Sequence, residues 1–338
     1  MIHTSSQIEI DVGALHSNEQ SSRTGAVDRA VMISVVVPVY NRAKLVTDAL
    51  DSIAASSYRP IEVIVVDGGS SDGSGDVVEA WAHTKRTADF DVRMIIELKR
   101  GVSAGRNAGI AAARGDYVAF LDADDLIQPH MLKTLADALE RNAASFAYCQ
   151  TEQASITGQV YAIVGQPLKP YPSSIPDHNW HISGLLVKRE VLARIGGFRE
   201  GIEGEDWEIA ARIKAFTEEG VFVREILSTY RIHDGPQLIK DQTGRYPKGR
   251  ERAICHVVEM LQKLPVNSRV PRRKCARLMF RNALHYYSAG DQVGCARCLD
   301  IALRWSDIPQ KLIIRAAAAL VRACGVSCVI GLSRYLHN

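Results

Sequence analysis

No stretch of about 20 residues in this chain is both apolar and uncharged, so none reads as a conventional membrane-spanning helix. The nearest approach, residues 312–332, is interrupted by Arg315 and Arg322 and reads better as a helix on a surface or against a neighbour. Residues 1–31 are polar and lack the apolar core of a secretory signal, which predicts a flexible extension and a cytoplasmic protein. Cysteine supplies no framework either. The seven cysteines are odd in number and irregularly spaced, which argues for reduced thiols rather than a disulfide-stapled fold. Cys295-Ala-Arg-Cys298 is a lone C-x-x-C in a helical pattern without a second pair, which favours helix packing over zinc. The glycines at 101, 105 and 109 match neither G-x-G-x-x-G nor G-x-x-x-x-G-K-[ST], so a dinucleotide or phosphate loop is set aside.

Net charge is small, +3, but it hides a division. From Pro247 onward 16 Lys/Arg face 5 Asp/Glu, which is +11, whereas the remainder carries 25 against 33, which is −8. Such asymmetry points to an anionic partner for the C-terminal part, and Arg269, Arg272, Arg273, Lys274, Arg277 and Arg281 would be drawn to anionic lipid headgroups. A solvated basic helix face is the plainer alternative. No nucleic-acid recognition motif accompanies the charge, so nucleic acid is not expected as a partner.

What is present in abundance is alternation. Residues 33–39 and 61–66 are nearly continuous apolar runs, as parallel strands buried on both faces would be. Between and after them, helical patterns at about 43–55, 74–83 and 103–113 alternate with strands at 92–97 and 117–121. This predicts right-handed βαβ units and an α/β fold with a mostly parallel open sheet and helices on both faces. Its ligand crevice would lie at the carboxyl ends of the strands. Residues 145–235 are less regular, with short strands at 146–150, 158–164, 184–187 and 220–230 and a proline-rich connection. A C-terminal all-helical extension follows. The boundaries read as 1–31 for the extension, 32–240 for the α/β domain and 247–338 for the basic helical region.

The strand 117–121 ends in Asp122-Ala-Asp-Asp125. Three carboxylates within four residues repel one another, and a hard divalent cation such as Mn²⁺ or Mg²⁺ removes the conflict while bridging to a substrate's phosphates. The competing reading is a solvated acidic turn in which Asp125 caps the next helix.

Six segments bear on that choice: Val36-Val-Pro-Val-Tyr-Asn41, Val65-Val-Asp-Gly-Gly-Ser-Ser-Asp-Gly73, Gly101-Val-Ser-Ala-Gly-Arg-Asn-Ala-Gly109, Leu121-Asp-Ala-Asp-Asp125, Gly196-Gly-Phe198 and Gly204-Glu-Asp206. In this order, over about three-fifths of the chain, they resemble the catalytic domain of family 2 glycosyltransferases, the inverting, metal-dependent enzymes of the Rossmann-like GT-A fold. The resemblance implies that Asp122 and Asp124 hold the cation on the diphosphate of a nucleotide-sugar, and that His233 is a further ligand. It implies that Pro38, Tyr40, Asn41, Asp67, Arg106 and Glu205 bind the donor together with Asp122. Tyr40 offers a stacking face and Asp67 an acceptor for a base N–H, although the family more often has two adjacent acids where this chain has Asp67-Gly68. Asp206 maps onto the general base that deprotonates the acceptor hydroxyl, against the alternative that it only caps a helix. The implied reaction moves a sugar, with a UDP-linked donor expected, to a saccharide or lipid-linked acceptor in cell-envelope polysaccharide synthesis, at the inner face of the membrane. A metal-dependent nucleotidyltransferase would show a Gly-rich basic signature after the first strand, which Pro38-Val-Tyr-Asn-Arg42 is not. A non-catalytic nucleotide-sugar-binding module would be favoured by loss of Asp122, Asp124 or Asp206, and all three are present.

Overall fold

The computed structural model describes residues 9–10, 31–233, 245–264, 269–307, 310–312, 314–316 and 318–319. Most of the expected N-terminal extension, and the larger part of the 312–332 segment, lie outside the described residues. In chain order the elements are β1 (Glu9–Ile10), β2 (Ile33–Val39), α1 (Val46–Ala54), β3 (Ile61–Asp67), α2 (Ser74–Lys85), β4 (Phe90–Ile96), α3 (Val102–Ala112) and β5 (Tyr117–Phe120). They continue as β6 (Leu126–Ile127), α4 (Met131–Arg141), β7 (Phe146–Ser155), β8 (Val160–Val164), β9 (Leu185–Lys188), α5 (Arg189–Ile195), α6 (Glu205–Phe216) and β10 (Gly220–Ile232). Helices α7 (Arg245–Lys263), α8 (Arg269–Ser288) and α9 (Gln292–Trp305) complete the set. No helix among the described residues is long and apolar enough to cross a membrane.

These elements divide into two compact units. The first comprises the chain to Leu168, His178–Glu200 and Phe216–Asp234. Its sheet runs β1-β10-β7-β9-β5-β2-β3-β4, with β6 added to β10 and β8 to β7. β2, β3, β4 and β5 are mutually parallel and β7 and β10 are parallel, whereas β9 runs antiparallel between β5 and β7, β6 antiparallel to β10 and β8 antiparallel to β7. The continuous apolar run of β2 follows from its two covered faces. Val35, Val37 and Val39 join the core of α1, α2 and α4, while Val36 and Pro38 face α3. There α3 must approach closely: a Cβ on Gly109 would lie 2.2 Å from Val36 Cγ1, and one on Gly105 3.5 Å from Pro38 Cβ. On the other face Val46, Leu50 and Ile53 of α1 are fully buried, each contributing about 1.5–3 kcal/mol by transfer from water.

The amino ends of β2, β3 and β4 are clasped by one buried acid. Glu62 accepts hydrogen bonds from Ser34 Oγ (2.6 Å), Arg93 Nη2 (2.7 Å), Arg114 N and Nε (2.5 and 2.9 Å) and Gly115 N (3.0 Å). Burial opposes its charged form, but the bonds from Ser34, Arg114 and Arg93 prevail and hold the carboxyl down at about 2.

The second unit comprises Lys169–Asp177, Gly201–Ala215 and the chain from Gly235. Its core joins Ile254, Val257 and Leu261 of α7 to Met279, Phe280 and Tyr286 of α8 and Cys298 and Ala302 of α9. Cys298 is thus buried in helix packing, with its Sγ accepting from Asn282 Nδ2 at 3.7 Å. Lys214 of α6 is buried and donates to Ser174 O (2.8 Å) and Asp177 O, and burial lowers its pKa to about 7.

Candidate active site

At the carboxyl end of β2 the chain leaves the sheet through Tyr40, which is 60% exposed, and Asn41, whose φ of 52° is left-handed. Asparagine tolerates that conformation because its short amide bonds locally. Here Asn41 Oδ1 accepts from Ser71 N (2.9 Å) and Asn41 N donates to Ser70 Oγ (2.9 Å). Asp67, at the end of β3, holds the other side of this latch, its Oδ1 accepting from Ser70 N (3.0 Å) and Oγ (2.6 Å). A second latch follows, in which Asp72 accepts from Ala43 N (3.0 Å) and Ser74 Oγ accepts from Arg42 N (2.8 Å). The repeated Ser and Asp of residues 67–74 therefore fix one loop against the other and leave the Tyr40 ring outward. Pro38 lies beneath, against Gly105.

The turn after β5 places the carboxylates. Asp122 Oδ1 accepts from Arg106 Nη2 at 2.7 Å, and the Arg106 side chain is nearly inaccessible to solvent. Its guanidinium stands 5.2 Å from the centroid of the Phe198 ring, a cation–π contact, and Phe198 packs edge-on against Phe120 at 5.2 Å. The Gly196-Gly-Phe198 segment explains this placement. Gly196 ends α5 in the left-handed conformation. Asn107 of α3 then clamps Phe198 with Oδ1 on its N–H (2.7 Å) and Nδ2 on its carbonyl (2.9 Å).

Asp124 Oδ2 accepts from Arg42 Nε at 2.9 Å and lies 3.1 Å from His233 Nε2. The preceding Arg231 ties the same turn to α1: its Nε donates to Asp124 O and its Nη1 to Asp48 Oδ2 at 2.7 Å. Asp125 does not cap a helix, contrary to the alternative raised from sequence. The chain continues into β6, and its carboxylate accepts from Ser183 Oγ (2.7 Å) and Arg231 N (3.1 Å) with no solvent exposure. Burial, then the charges of Asp122 and Asp124, raise its pKa well above the usual carboxylate range. The same surroundings push Tyr230 up to about 12, burial contributing most and Asp125, Asp124 and Asp122 following.

Asp122, Asp125 and His181 bring one potential ligand atom each to within 4.8 Å of one another. His181 Nδ1 stands 3.7 Å from Asp125 Oδ2 and its ring packs on Tyr230 at 5.0 Å. His181, Ser183, Arg42 and Arg231 were not singled out from sequence. The donor set of carboxylate oxygens and imidazole nitrogen suits a hard or borderline divalent cation. The turn therefore brings Arg106 to Asp122, His233 to Asp124 and, in addition, His181 to Asp125.

Glu205 and Asp206 open α6 in the second unit, where Glu205, Asp206 and Glu208 populate the first helical turn. Acidic side chains there complement the helix dipole. Asp206 Oδ1 accepts from Trp207 N (2.8 Å), and Trp207 Nε1 donates to Pro176 O (3.0 Å).

Comparison with known proteins agrees with this geometry. The family profile described as glycosyl transferase family 2 matches residues 34–190. The glycosyltransferase YibD of Escherichia coli is 31% identical over 251 residues, spanning 70% of this chain and 71% of YibD. The glycosyltransferase GlyG of Streptococcus pneumoniae is 27% identical, over 60% of this chain and 72% of its own. Among solved structures, residues 1–349 of Staphylococcus aureus TarS in complex with UDP-GlcNAc superpose with a TM-score of 0.68 at 16% identity, covering 88% of each chain. The Pyrobaculum calidifontis mannosyltransferase PcManGT, in complex with GDP-Man and Mn²⁺, gives 0.54 at 22% identity, over 87% of this chain and 81% of its own. The likeness to solved structures shows a GT-A fold, and the likeness to YibD across most of both chains shows that this protein belongs to glycosyltransferase family 2.

Proposed function

We propose that the protein transfers a sugar from a nucleoside-diphosphate sugar to a saccharide or lipid-linked acceptor, with inversion, using a divalent cation. The observation that carries this reading is the turn after β5, where Arg106 holds Asp122 and, two residues on, His233 stands 3.1 Å from Asp124, at the carboxyl ends of strands that also present Tyr40 and Asp67. The ligands bound by the structural neighbours, UDP-GlcNAc in TarS and GDP-Man with Mn²⁺ in PcManGT, favour the same donor class. So does the name of a relative 33% identical over 135 residues, the succinoglycan biosynthesis protein ExoO of Rhizobium meliloti, for a role in polysaccharide assembly.

The roles follow from the side chains. Tyr40 stacks on the base, and Asp67 and Asn41 frame the ribose end through the loops they hold. Asp122 and Asp124, with His233 or His181, would hold Mn²⁺ or Mg²⁺, which when bound neutralises charge building on the leaving diphosphate. Arg106 fixes Asp122 and presents a buried positive charge to the same group. Asp206 takes the proton of the attacking acceptor hydroxyl. Because the leaving group is a diphosphate, no acid is needed to protonate it, and one carboxylate base suffices. Basic residues of α8, Arg272, Arg277 and Arg281 among them, would attach the protein to anionic lipid at the cytoplasmic face, where such acceptors are assembled, whereas Arg273 and Lys274 are engaged by Asp307 and Asp177.

The test is turnover. Purified protein with Mn²⁺ and a panel of nucleotide-sugars should release nucleoside diphosphate slowly from one donor, and EDTA or Asp122→Asn should abolish the release. Absence of release and of metal-dependent binding for every donor would refute the assignment. For the membrane, co-sedimentation with vesicles containing phosphatidylglycerol should exceed that with phosphatidylcholine and fall with salt. Equal binding to both would refute attachment through charge.

A further inference from the structure

Gly68 stands where a side chain would fit. Its φ lies outside the left-handed region, unlike that of Gly69 at 80°. A Cβ on it would sit 3.5 Å from Tyr40 Cδ2 and 3.5 Å from Val39 O, which is ordinary contact. Neither backbone conformation nor packing therefore calls for glycine at 68. What the missing side chain changes is the surface beside the Tyr40 ring.

The sheet register shows which groups share that surface. Val39 of β2 pairs with Asp67 of β3, and Asp67 with Ile96 of β4. The parallel ladder reaches one residue further, with Gly68 N donating to Val39 O (2.8 Å) and Glu97 N to Asp67 O (2.9 Å). Tyr40, Gly68 and Glu97 therefore form the next row across the carboxyl ends of three strands. Alternation gives them a common face. Pro38, two residues before Tyr40, lies against Gly105 of α3, and the Cβ built on Gly68 is 3.7 Å from Tyr40 Cβ. Asp67 is turned the other way: it is 8% exposed, a Cβ on Gly75 of α2 would lie 3.5 Å from its Oδ2, and its Oδ1 bonds to Ser70.

With neighbouring strands about 4.8 Å apart, the row sets an aromatic ring, an empty position and a carboxylate over about 10 Å. Glu97 Oε1 accepts from Lys99 N at 2.8 Å, and the Lys99 ammonium pairs with Glu200. Carboxylate oxygens carry two lone pairs each, so capacity remains for a ligand. Beyond the row, Leu98 is 74% exposed and its Cδ2 lies 3.2 Å from where a Cβ on Gly69 would be, which adds an apolar flank to the glycine floor.

We propose that the donor nucleotide is a guanosine diphosphate, its base over Gly68, with Tyr40 on one side and the Glu97 carboxylate on its N1–H and N2–H groups. The inference rests on the donor site of the proposed function and names its base, in place of the uridine expected from the family resemblance. An acid at 68 would stand one strand nearer Tyr40 and close the space to a single ring. With the carboxylate at 97 the space is one strand longer, which suits a fused two-ring base. Guanine offers two adjacent N–H donors to a carboxylate, a bidentate match. Adenine presents the bare N1 acceptor there, and uracil one N–H between two carbonyls, so both meet the carboxylate with at least one repelling oxygen or nitrogen.

The test titrates the full chain, in Mn²⁺, with GDP, inosine diphosphate, ADP and UDP, and reads affinity by calorimetry. GDP should bind at least about tenfold tighter than ADP or UDP, with inosine diphosphate, which lacks the N2 amine, between them. Glu97→Gln should bring GDP and UDP to within about threefold of each other, a ratio that cancels any general change in the fold. Gly68→Asp should lower the same ratio at least about tenfold by filling the space beside Tyr40. GDP no tighter than ADP or UDP in the wild type, or an unchanged ratio in either variant, overturns the proposal. Binding of UDP in preference to GDP overturns the base alone and leaves the donor site standing. Binding of none of these nucleotides strikes the donor site itself, and the base with it.

Discussion

Gly196 and Gly197 are adjacent, both left-handed, and should respond very differently to alanine. Their φ values are 78° and 64°, so a side chain at either costs roughly 1–2 kcal/mol in backbone strain. Around Gly196 a Cβ would meet nothing within 4 Å, and the cost should end there. At Gly197 the Cβ would lie 2.5 Å from Asn107 Oδ1. Asn107 must then withdraw, releasing its two hydrogen bonds to Phe198, worth about 1 kcal/mol each. Gly197→Ala is therefore expected to lose roughly 3–4 kcal/mol, a fall in Tm of roughly 6–16 °C, against roughly 2–8 °C for Gly196→Ala. The loss reaches the site because Phe198 supports the Arg106 guanidinium that binds Asp122. Donor binding should weaken several-fold in Gly197→Ala and stay near wild type in Gly196→Ala. A double-mutant cycle isolates the cause: on an Asn107→Ala background, Gly197→Ala should cost no more than Gly196→Ala. Scanning calorimetry with and without nucleotide measures all of these. Equal losses for the two glycines, or an undiminished Gly197→Ala penalty on the Asn107→Ala background, would refute the reasoning.

Other consequences follow from single side chains. Glu62 has a folded pKa of about 2 against 4.5 for an unperturbed carboxyl, so its stabilisation is complete above pH 4.5 and is lost as pH falls toward 2. The linked contribution is about 3 kcal/mol, and Glu62→Gln should lower Tm at neutral pH and flatten its decline in acid. Arg42→Gln removes a positive charge from Asp124 and should tighten Mn²⁺ binding in the absence of nucleotide by about tenfold, read by calorimetry; unchanged affinity would show that the pair does not compete with the cation. Asp206→Asn should retain donor and Mn²⁺ affinity within about twofold yet lose at least about a hundredfold in turnover, whereas a helix-capping role would leave turnover nearly intact.

The fold was readable because its strands are covered on two sides. Val35 and Val37 meet one helix layer and Val36 another, so the run of apolar residues is itself the trace of two packing faces. Asp122 and Asp124 were readable because charge at the end of such a run needs a reason. Asp125 was ambiguous for a physical cause: an acid that caps a helix and one that is buried look alike locally, and its partner Ser183 lies 58 residues away. His181 was hidden for a similar reason. It enters from a single 3-10 turn after the proline-rich connection, where neither period 2 nor period 3.6 marks which side chain turns inward. Arg42 and Arg231 are ordinary surface residues by pattern, and only the pairing of β10 with its neighbours carries Arg231 to the Asp124 turn.

The central claim is that Asp122 and Asp124 hold the donor's diphosphate through a divalent cation, and calorimetric titration of nucleotide-sugars in Mn²⁺ and in EDTA tests it most directly. One donor should bind the wild type in Mn²⁺, lose most of its affinity in EDTA, and fail to bind Asp124→Asn under either condition. Binding of equal strength with and without the cation, or undiminished binding to Asp124→Asn, would contradict it.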